Sequence, residues 1–295
     1  MPERDRYLAT TDWLAKNLGQ QDLRILECTV FLRPREDGRP GYAVVSGRDA
    51  WAAGHIPGSV FADIANDLSD PTHALRFMMP SAEQFAAAMG GYGVGDDSQV
   101  VLYDRAGSMW AARVWWMLRA FGFENARILD GGWSAWSREG RPVSADAGSP
   151  PPARFSATAR AGLIATKADV LAAMAAGQTC IVNALNAAQY RGDVAPYGRA
   201  GHIPGSVNVP AMGSAGIVDP ETQVYHATGE IRRRFEEAGA RPNERLITYC
   251  GGGIAASSAA FAAVMAGYTD VAVYDGSLSE WAADPSLPME TTPRR

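Results

Sequence analysis

The chain has 295 residues, a net charge of −5, and a composition that is 47% hydrophobic and 20% charged. That length suits two domains of ordinary size, and the balance is that of a globular protein in water. A mildly acidic chain gives no electrostatic footprint for nucleic acid or for an anionic membrane surface, so neither is expected as a partner. The three cysteines, Cys28, Cys180 and Cys250, are widely spaced. They make neither a metal cluster nor a disulfide framework, and a reducing, cytoplasmic compartment is expected. Four histidines with no close pair offer no metal site. Residues 1–6 are charged and lack an apolar core, so no signal peptide is expected. No apolar run reaches the roughly 18 residues of a membrane span.

In chain order, residues 11–18 read as a helix and 24–28 as a strand. A long loop then ends in Gly54-His-Ile-Pro-Gly-Ser-Val60, and a short strand follows at 60–62. A helix leads to a central strand at 100–103. The helix after it ends at Gly122, and a last strand covers 127–129. The second half repeats this order, with helix 166–175, strand 180–184, short strand 207–209, central strand 246–249, a helix ending at Gly267, and strand 271–274. The repeat is visible in the letters. Gly201-His-Ile-Pro-Gly-Ser-Val207 copies residues 54–60 at an offset of 147. Val101-Leu-Tyr-Asp104 aligns with Ile247-Thr-Tyr-Cys250 at 146, and Asp130-Gly131 with Asp275-Gly276 at 145. A nearly constant offset means one fold used twice. Alternating strands and helices predict an α/β fold, each half a parallel sheet flanked by helices. The expected domains are 1–142 and 155–295. Residues 143–154, with Pro150-Pro-Pro152, form the expected linker.

Chemistry concentrates in Cys250-Gly-Gly-Gly-Ile-Ala255. Cys250 falls where the central strand ends, the end at which open α/β sheets bind ligands. The three glycines let the backbone turn its N–H groups inward before an alanine-rich helix predicted from residue 257. Such a nest at a helix start favours an anion, so the Cys250 thiol is expected to ionise readily and act as a nucleophile. Three other readings compete. A strand-end cysteine is often a small buried hydrophobe. Gly251-x-Gly253-x-x-Ala256 with Asp275 fits a dinucleotide fingerprint, but that motif opens its fold and too little chain follows here. A cysteine phosphatase needs an arginine six positions after its cysteine, and Ala256 stands there. In the first half the position of Cys250 is held by Asp104, which cannot do thiolate chemistry. Only the second half is expected to be catalytic.

Two halves, each with a Gly-His-Ile-Pro-Gly turn, and one cysteine loop in the second half resemble the tandem rhodanese-type sulfurtransferases. Arg113-Val-Trp-Trp-Met117 and Asp130-Gly-Gly-Trp133 add to the likeness, which covers nearly the whole chain. The resemblance implies a Cys250 persulfide, loaded from a small sulfur donor and discharged to cyanide or a thiol. It implies no cofactor and no metal. Thiosulfate is the favoured donor and 3-mercaptopyruvate the alternative; the acceptor side also leaves room for a protein. The N–H groups of Gly251, Gly252, Gly253, Ile254 and Ala255 are expected to hold the persulfide. A non-catalytic persulfide carrier or binding module is the alternative from another class.

The chain departs from the family pattern around the donor. Thiosulfate-type members carry basic residues where Gly251 and Gly252 stand, and mercaptopyruvate-type members carry a serine at the position of Gly252. The family's Asp-x-Arg after the first strand of the second half reads Asn183-Ala-Leu185. The first-domain acid and histidine used by some members align with Ala65 and Phe77. Arg191 and Arg199 are candidates to restore the lost charge, with solvated loop arginines as the plainer reading. His55 and His202 recur in both halves and are expected to serve the turn. His73 and His226 are expected to be exposed and Cys28 and Cys180 to be inert, while Met109 and Trp110 are expected near the domain interface, either as an apolar wall over Cys250 or as plain interface packing.

Overall fold

The computed structural model describes residues 3–36, 41–148 and 150–292. The chain forms two compact units. The first comprises Met1–Phe31, Val45–Arg160 and Glu221–Tyr225, the second Leu32–Val44, Ala161–Pro220 and His226–Arg295. Each unit therefore takes a short segment from the other half of the sequence. The chain changes unit at Arg160 and Ala161, beyond the expected linker. Among the described residues of 143–154 there is no helix or long strand, and the stretch belongs to the first unit. Ser144 makes an isolated antiparallel bridge with His55, and the Ala153 N–H donates to Gly90 O at 3.0 Å. Gly93 has no side chain to obstruct Pro150, whose Cβ lies 2.7 Å from where a glycine-replacing Cβ would sit.

The first half of the chain runs β1 (Leu8–Ala9), α1 (Thr11–Asn17), β2 (Leu23–Glu27), β3 (Val30–Pro34), β4 (Tyr42–Ser46), α2 (Arg48–Ala53) and β5 (Ser59–Phe61). It continues with α3 (Ala82–Gly91), β6 (Gln99–Tyr103), α4 (Met109–Ala120), β7 (Ala126–Leu129) and α5 (Gly132–Arg138). The β3 and β4 strands pair with each other in a two-stranded sheet, and Leu32–Pro34 of the one and Tyr42–Val44 of the other count with the second unit. The main sheet has the order β1-β7-β6-β2-β5, with every neighbour pair parallel. Its core includes Leu14, Ile25, Ile56, Val101, Tyr103, Leu129 and Trp136.

The second unit runs β8 (Ile164–Ala165), α6 (Lys167–Ala176), β9 (Thr179–Asn183), α7 (Ala187–Arg191), β10 (Val207–Asn208) and α8 (Thr228–Ala238). It ends with β11 (Arg245–Tyr249), α9 (Ile254–Met265), β12 (Val271–Tyr274) and α10 (Ser277–Trp281). Its sheet has the order β10-β9-β11-β12-β8, again all parallel. Read from the other edge, this is the first sheet strand for strand, as the repeat requires. The β11 strand is central and its last four residues are buried, so Leu246-Ile-Thr-Tyr249 is apolar without alternation.

Local signals fix the helix starts. Thr10 and Ser81 each accept an N–H from three residues on, and Thr166 forms a capping box with Asp169. The α9 helix is buried on all sides except at Ala255, and packs on β11, β12 and α8. Its alanines allow that close packing. The α8 helix covers it with Ile231 and Phe235 and turns Arg232–Glu236 and Arg233–Glu237 ion pairs outward.

Candidate active site

The repeated turn is tied to the tyrosine that ends each central strand. In the first unit the Ile56 N–H donates to the Tyr103 hydroxyl at 3.3 Å, and Ser59 Oγ lies 3.0 Å from it. In the second, the Ile203 N–H and Ser206 Oγ meet the Tyr249 hydroxyl at 3.0 and 2.8 Å. The histidines lock the same turns. His55 stacks on Trp51 and bonds its carbonyl at 2.8 Å; His202 stacks on Tyr190 and bonds its carbonyl at 2.8 Å. The motif thus fixes the floor beneath the residue that follows each tyrosine.

That residue in the second unit is Cys250, 3% exposed. Its loop is fastened by the start of α10. The N–H groups of Cys250 and Gly253 both donate to Ser277 Oγ, at 3.1 and 3.2 Å, and the Ser277 hydroxyl donates to Tyr274 O at 2.8 Å. The Leu278 N–H donates to Cys250 O at 3.0 Å, and Ser279 donates to Gly251 O through its N–H at 2.8 Å and its hydroxyl at 2.6 Å. Gly253 takes φ +80°, the left-handed turn that starts α9. The helix therefore begins at Ile254, three residues before the predicted start. Among the described residues no acceptor takes the N–H groups of Gly251, Gly252, Ile254, Ala255 and Ala256. They are the open donors of a nest and of a first helical turn.

The first unit shows what such a loop holds. Asp104 follows Tyr103, and its carboxylate accepts four backbone N–H groups, from Ala106, Ser108, Trp110 and Ala111, at 2.8–2.9 Å. Burial pushes the Asp104 carboxyl up from its ordinary range, and the four donors pull it the other way. Ser108, at φ +64°, caps α4 as Gly253 caps α9. Four positions separate Asp104 from that cap, against three from Cys250 to Gly253. The drop in the repeat offset from 146 to 145 therefore lies in this loop. Asp104→Asn turns one acceptor oxygen into a donor facing two N–H groups. It is expected to destabilise the first unit by about 2–4 kcal/mol, read as a lower denaturation midpoint. An unchanged midpoint would contradict this account of the loop.

Around Cys250 the charges expected from sequence are engaged elsewhere. Arg191 ends α7 and donates to Asp193 at 2.7 Å. Arg199 is no solvated loop arginine. Its guanidinium reaches the carbonyls of Trp281, Ala282, Asp284 and Leu287 at 2.8–3.1 Å and closes the turn after α10. Leu185 is buried, and its N–H donates to Asn183 Oδ1 at 2.9 Å. His226 is half-buried, not exposed. Burial pushes the Cys28 thiol well up and the Cys180 thiol up to about 11, which keeps both protonated and inert. Trp110 is buried against Phe77, their ring centroids 5.1 Å apart.

Two residues had no sequence signal. Ser277 sits at φ +48°, where the repeat places Gly132 at φ +52°. Tyr197, in the loop before the second turn, lies directly against Gly251: a Cβ there would fall 1.9 Å from the Tyr197 Cζ. With any larger residue at 251 the ring would have to move.

Two stretches, residues 10–139 and 166–284, match the model of the rhodanese-like domain. The chain is 33% identical to the 3-mercaptopyruvate sulfurtransferase of Escherichia coli (strain K12), covering 96% of this chain and 98% of that protein. It is 34% identical to the thiosulfate sulfurtransferase of Rattus norvegicus, covering 94% and 92%. The crystal structure of SseA from Escherichia coli, described as a 3-mercaptopyruvate sulfotransferase, superposes with a TM-score of 0.80 at 32% identity, over 92% of this chain and 98% of that one. The chain belongs to the rhodanese-like family, as a tandem-domain sulfurtransferase.

Proposed function

We propose that Cys250 carries the sulfur as a persulfide, with thiosulfate as the donor and cyanide or a thiol as the acceptor. The observation that supports this most is the Asp104 loop. A buried anion in that loop draws four backbone donors, and the shorter loop of the second unit leaves the N–H groups of Gly251, Gly252, Ile254, Ala255 and Ala256 open to an anion, which this reading takes to be sulfur. The Cys250 thiolate attacks the outer sulfur of thiosulfate. The S–S bond of the donor breaks, and sulfite leaves with the electron pair. The new outer sulfur, bound to Cys250, carries the negative charge toward the N–H groups of Gly251, Gly252, Ile254 and Ala255. Gly253 serves differently, as the turn that aims them. Cyanide then attacks the outer sulfur, thiocyanate leaves, and the thiolate is restored. The second unit, from the second half of the chain, is the catalytic one in this reading, and the first is its copy without a nucleophile.

A second reading takes 3-mercaptopyruvate as donor. Relatives of both names match this chain equally well, and no basic side chain stands in the loop to favour a dianion. The carbon–sulfur bond then breaks, and pyruvate leaves after its enolate takes a proton. A reducing, cytoplasmic setting suits either donor, since the three cysteines are free. Among the described residues no helix is long and apolar enough to cross a membrane.

Initial rates with donor and cyanide both varied test the scheme. Parallel double-reciprocal lines are expected, because sulfite leaves before cyanide reacts. Intersecting lines would require both substrates on the protein at once and would exclude a free persulfide intermediate.

A further inference from the structure

The two loops differ most in what fills the space above their second residue. In the first unit that residue is Arg105. Its guanidinium donates to the buried Glu27 carboxylate at 2.6 Å and lies 4.0 Å from the Trp133 ring centre. In the second unit both members of the pair are gone, for Gly251 replaces the arginine and Asn183 the glutamate at the end of the matching strand. The vacated volume is taken by a phenol. The Tyr197 hydroxyl oxygen lies 2.1 Å from where a Gly251 Cβ would stand, and its Cε1 2.3 Å.

We propose that Tyr197 is a donor-binding residue: its hydroxyl, held against Gly251, donates a hydrogen bond to the anionic oxygens of the sulfur donor while the Cys250 thiolate attacks. The inference rests on the persulfide reading above. It answers the loss of the arginine at Leu185 with a neutral hydrogen-bond donor held against the residue after the nucleophile. The hydroxyl stays protonated in the working range. Burial, first, and then the nearby Cys250 and Tyr42 push its pKa up. Tyr42, from β4, belongs to the same unit, so the surroundings of Tyr197 draw on both halves of the sequence. The oxygens in question are the sulfite oxygens of thiosulfate or the carboxylate of 3-mercaptopyruvate. Cyanide has none, and this gives the proposal its test.

The two half-reactions are measured separately in wild type and in Tyr197→Phe, which keeps the ring on Gly251. Persulfide loading is followed by intact mass at limiting thiosulfate and, separately, at limiting 3-mercaptopyruvate. Discharge is followed by thiocyanate release from preloaded protein. The expected result is loading slowed about tenfold with at least one donor, discharge changed less than about twofold, and a melting midpoint within about 2 °C of wild type. Equal loading rates in the two proteins overturn the proposal, as does a parallel loss in both half-reactions, which marks a structural role. Wild type that takes up no sulfur from either donor overturns the persulfide reading itself, and this inference with it.

Discussion

Cys250→Ala is expected to lower donor-to-cyanide turnover by about four orders of magnitude, with the protein still folded. The size of the effect follows from the role. Covalent sulfur transfer has no route without a thiolate, and Asp104, the first unit's counterpart, cannot supply one. The fold survives because the bonds that fasten the loop do not use the Cys250 side chain. The Cys250 N–H on Ser277 Oγ and the Cys250 carbonyl under Leu278 do not depend on the side chain. Losing the sulfur from a site 3% exposed leaves a small cavity, costing about 1 kcal/mol. Cys250→Ser tests the same point more narrowly, since it retains a hydroxyl of similar size. Equal, low rates in wild type and Cys250→Ala would instead support a non-catalytic carrier or binding module.

Gly201→Ala is expected to destabilise the second unit by about 3 kcal/mol, whereas Gly54→Ala, at the same letter of the repeated motif, is expected to cost under about 1 kcal/mol. Gly201 takes φ +100°, and a Cβ there would fall 1.9 Å from the Glu290 carbonyl oxygen. That oxygen accepts the His202 N–H at 2.9 Å, and the Glu290 N–H donates back to His202 O at 2.9 Å, so it cannot retreat without breaking the bridge. Gly54 is extended, at φ 171°, and its Cβ would meet only the tip of exposed Val143, at 3.1 Å. Denaturant titration of both variants gives the comparison. Equal losses would contradict the assignment of the Glu290 contact.

The fold was legible because the letters repeat. One motif at residues 54–60 and 201–207, with a drifting offset, implies two copies of one sheet, and the two strand orders coincide. The elements that escaped are short or depend on remote partners. Two-residue edge strands such as β1 and β8 carry no period. The five-residue helices α7 and α10 are too brief for an apolar face. The glycines read as loop and so set the expected start of α9 three residues late, although Gly253 is itself the cap. The exchange of segments between units leaves no mark on composition.

The site was legible only where chemistry is written in one loop. Cys250 and its glycines are contiguous, so their arrangement follows from local backbone rules. Ser277 and Tyr197 reach the loop from 27 and 53 positions away. Nothing in a single sequence marks a serine at φ +48° as a clamp on two N–H groups. Arg191 and Arg199 show the converse. A charged letter in a loop before the turn reads as available, yet Arg191 donates to Asp193 and Arg199 caps four carbonyls.

The most direct test of a Cys250 persulfide is the intact mass of wild type and Cys250→Ser after brief incubation with thiosulfate and, separately, with 3-mercaptopyruvate. A gain of about 32 Da, one sulfur atom, is predicted in wild type and not in the serine variant, and it should vanish on adding cyanide. No gain with either donor, or the same gain in both proteins, would contradict the account.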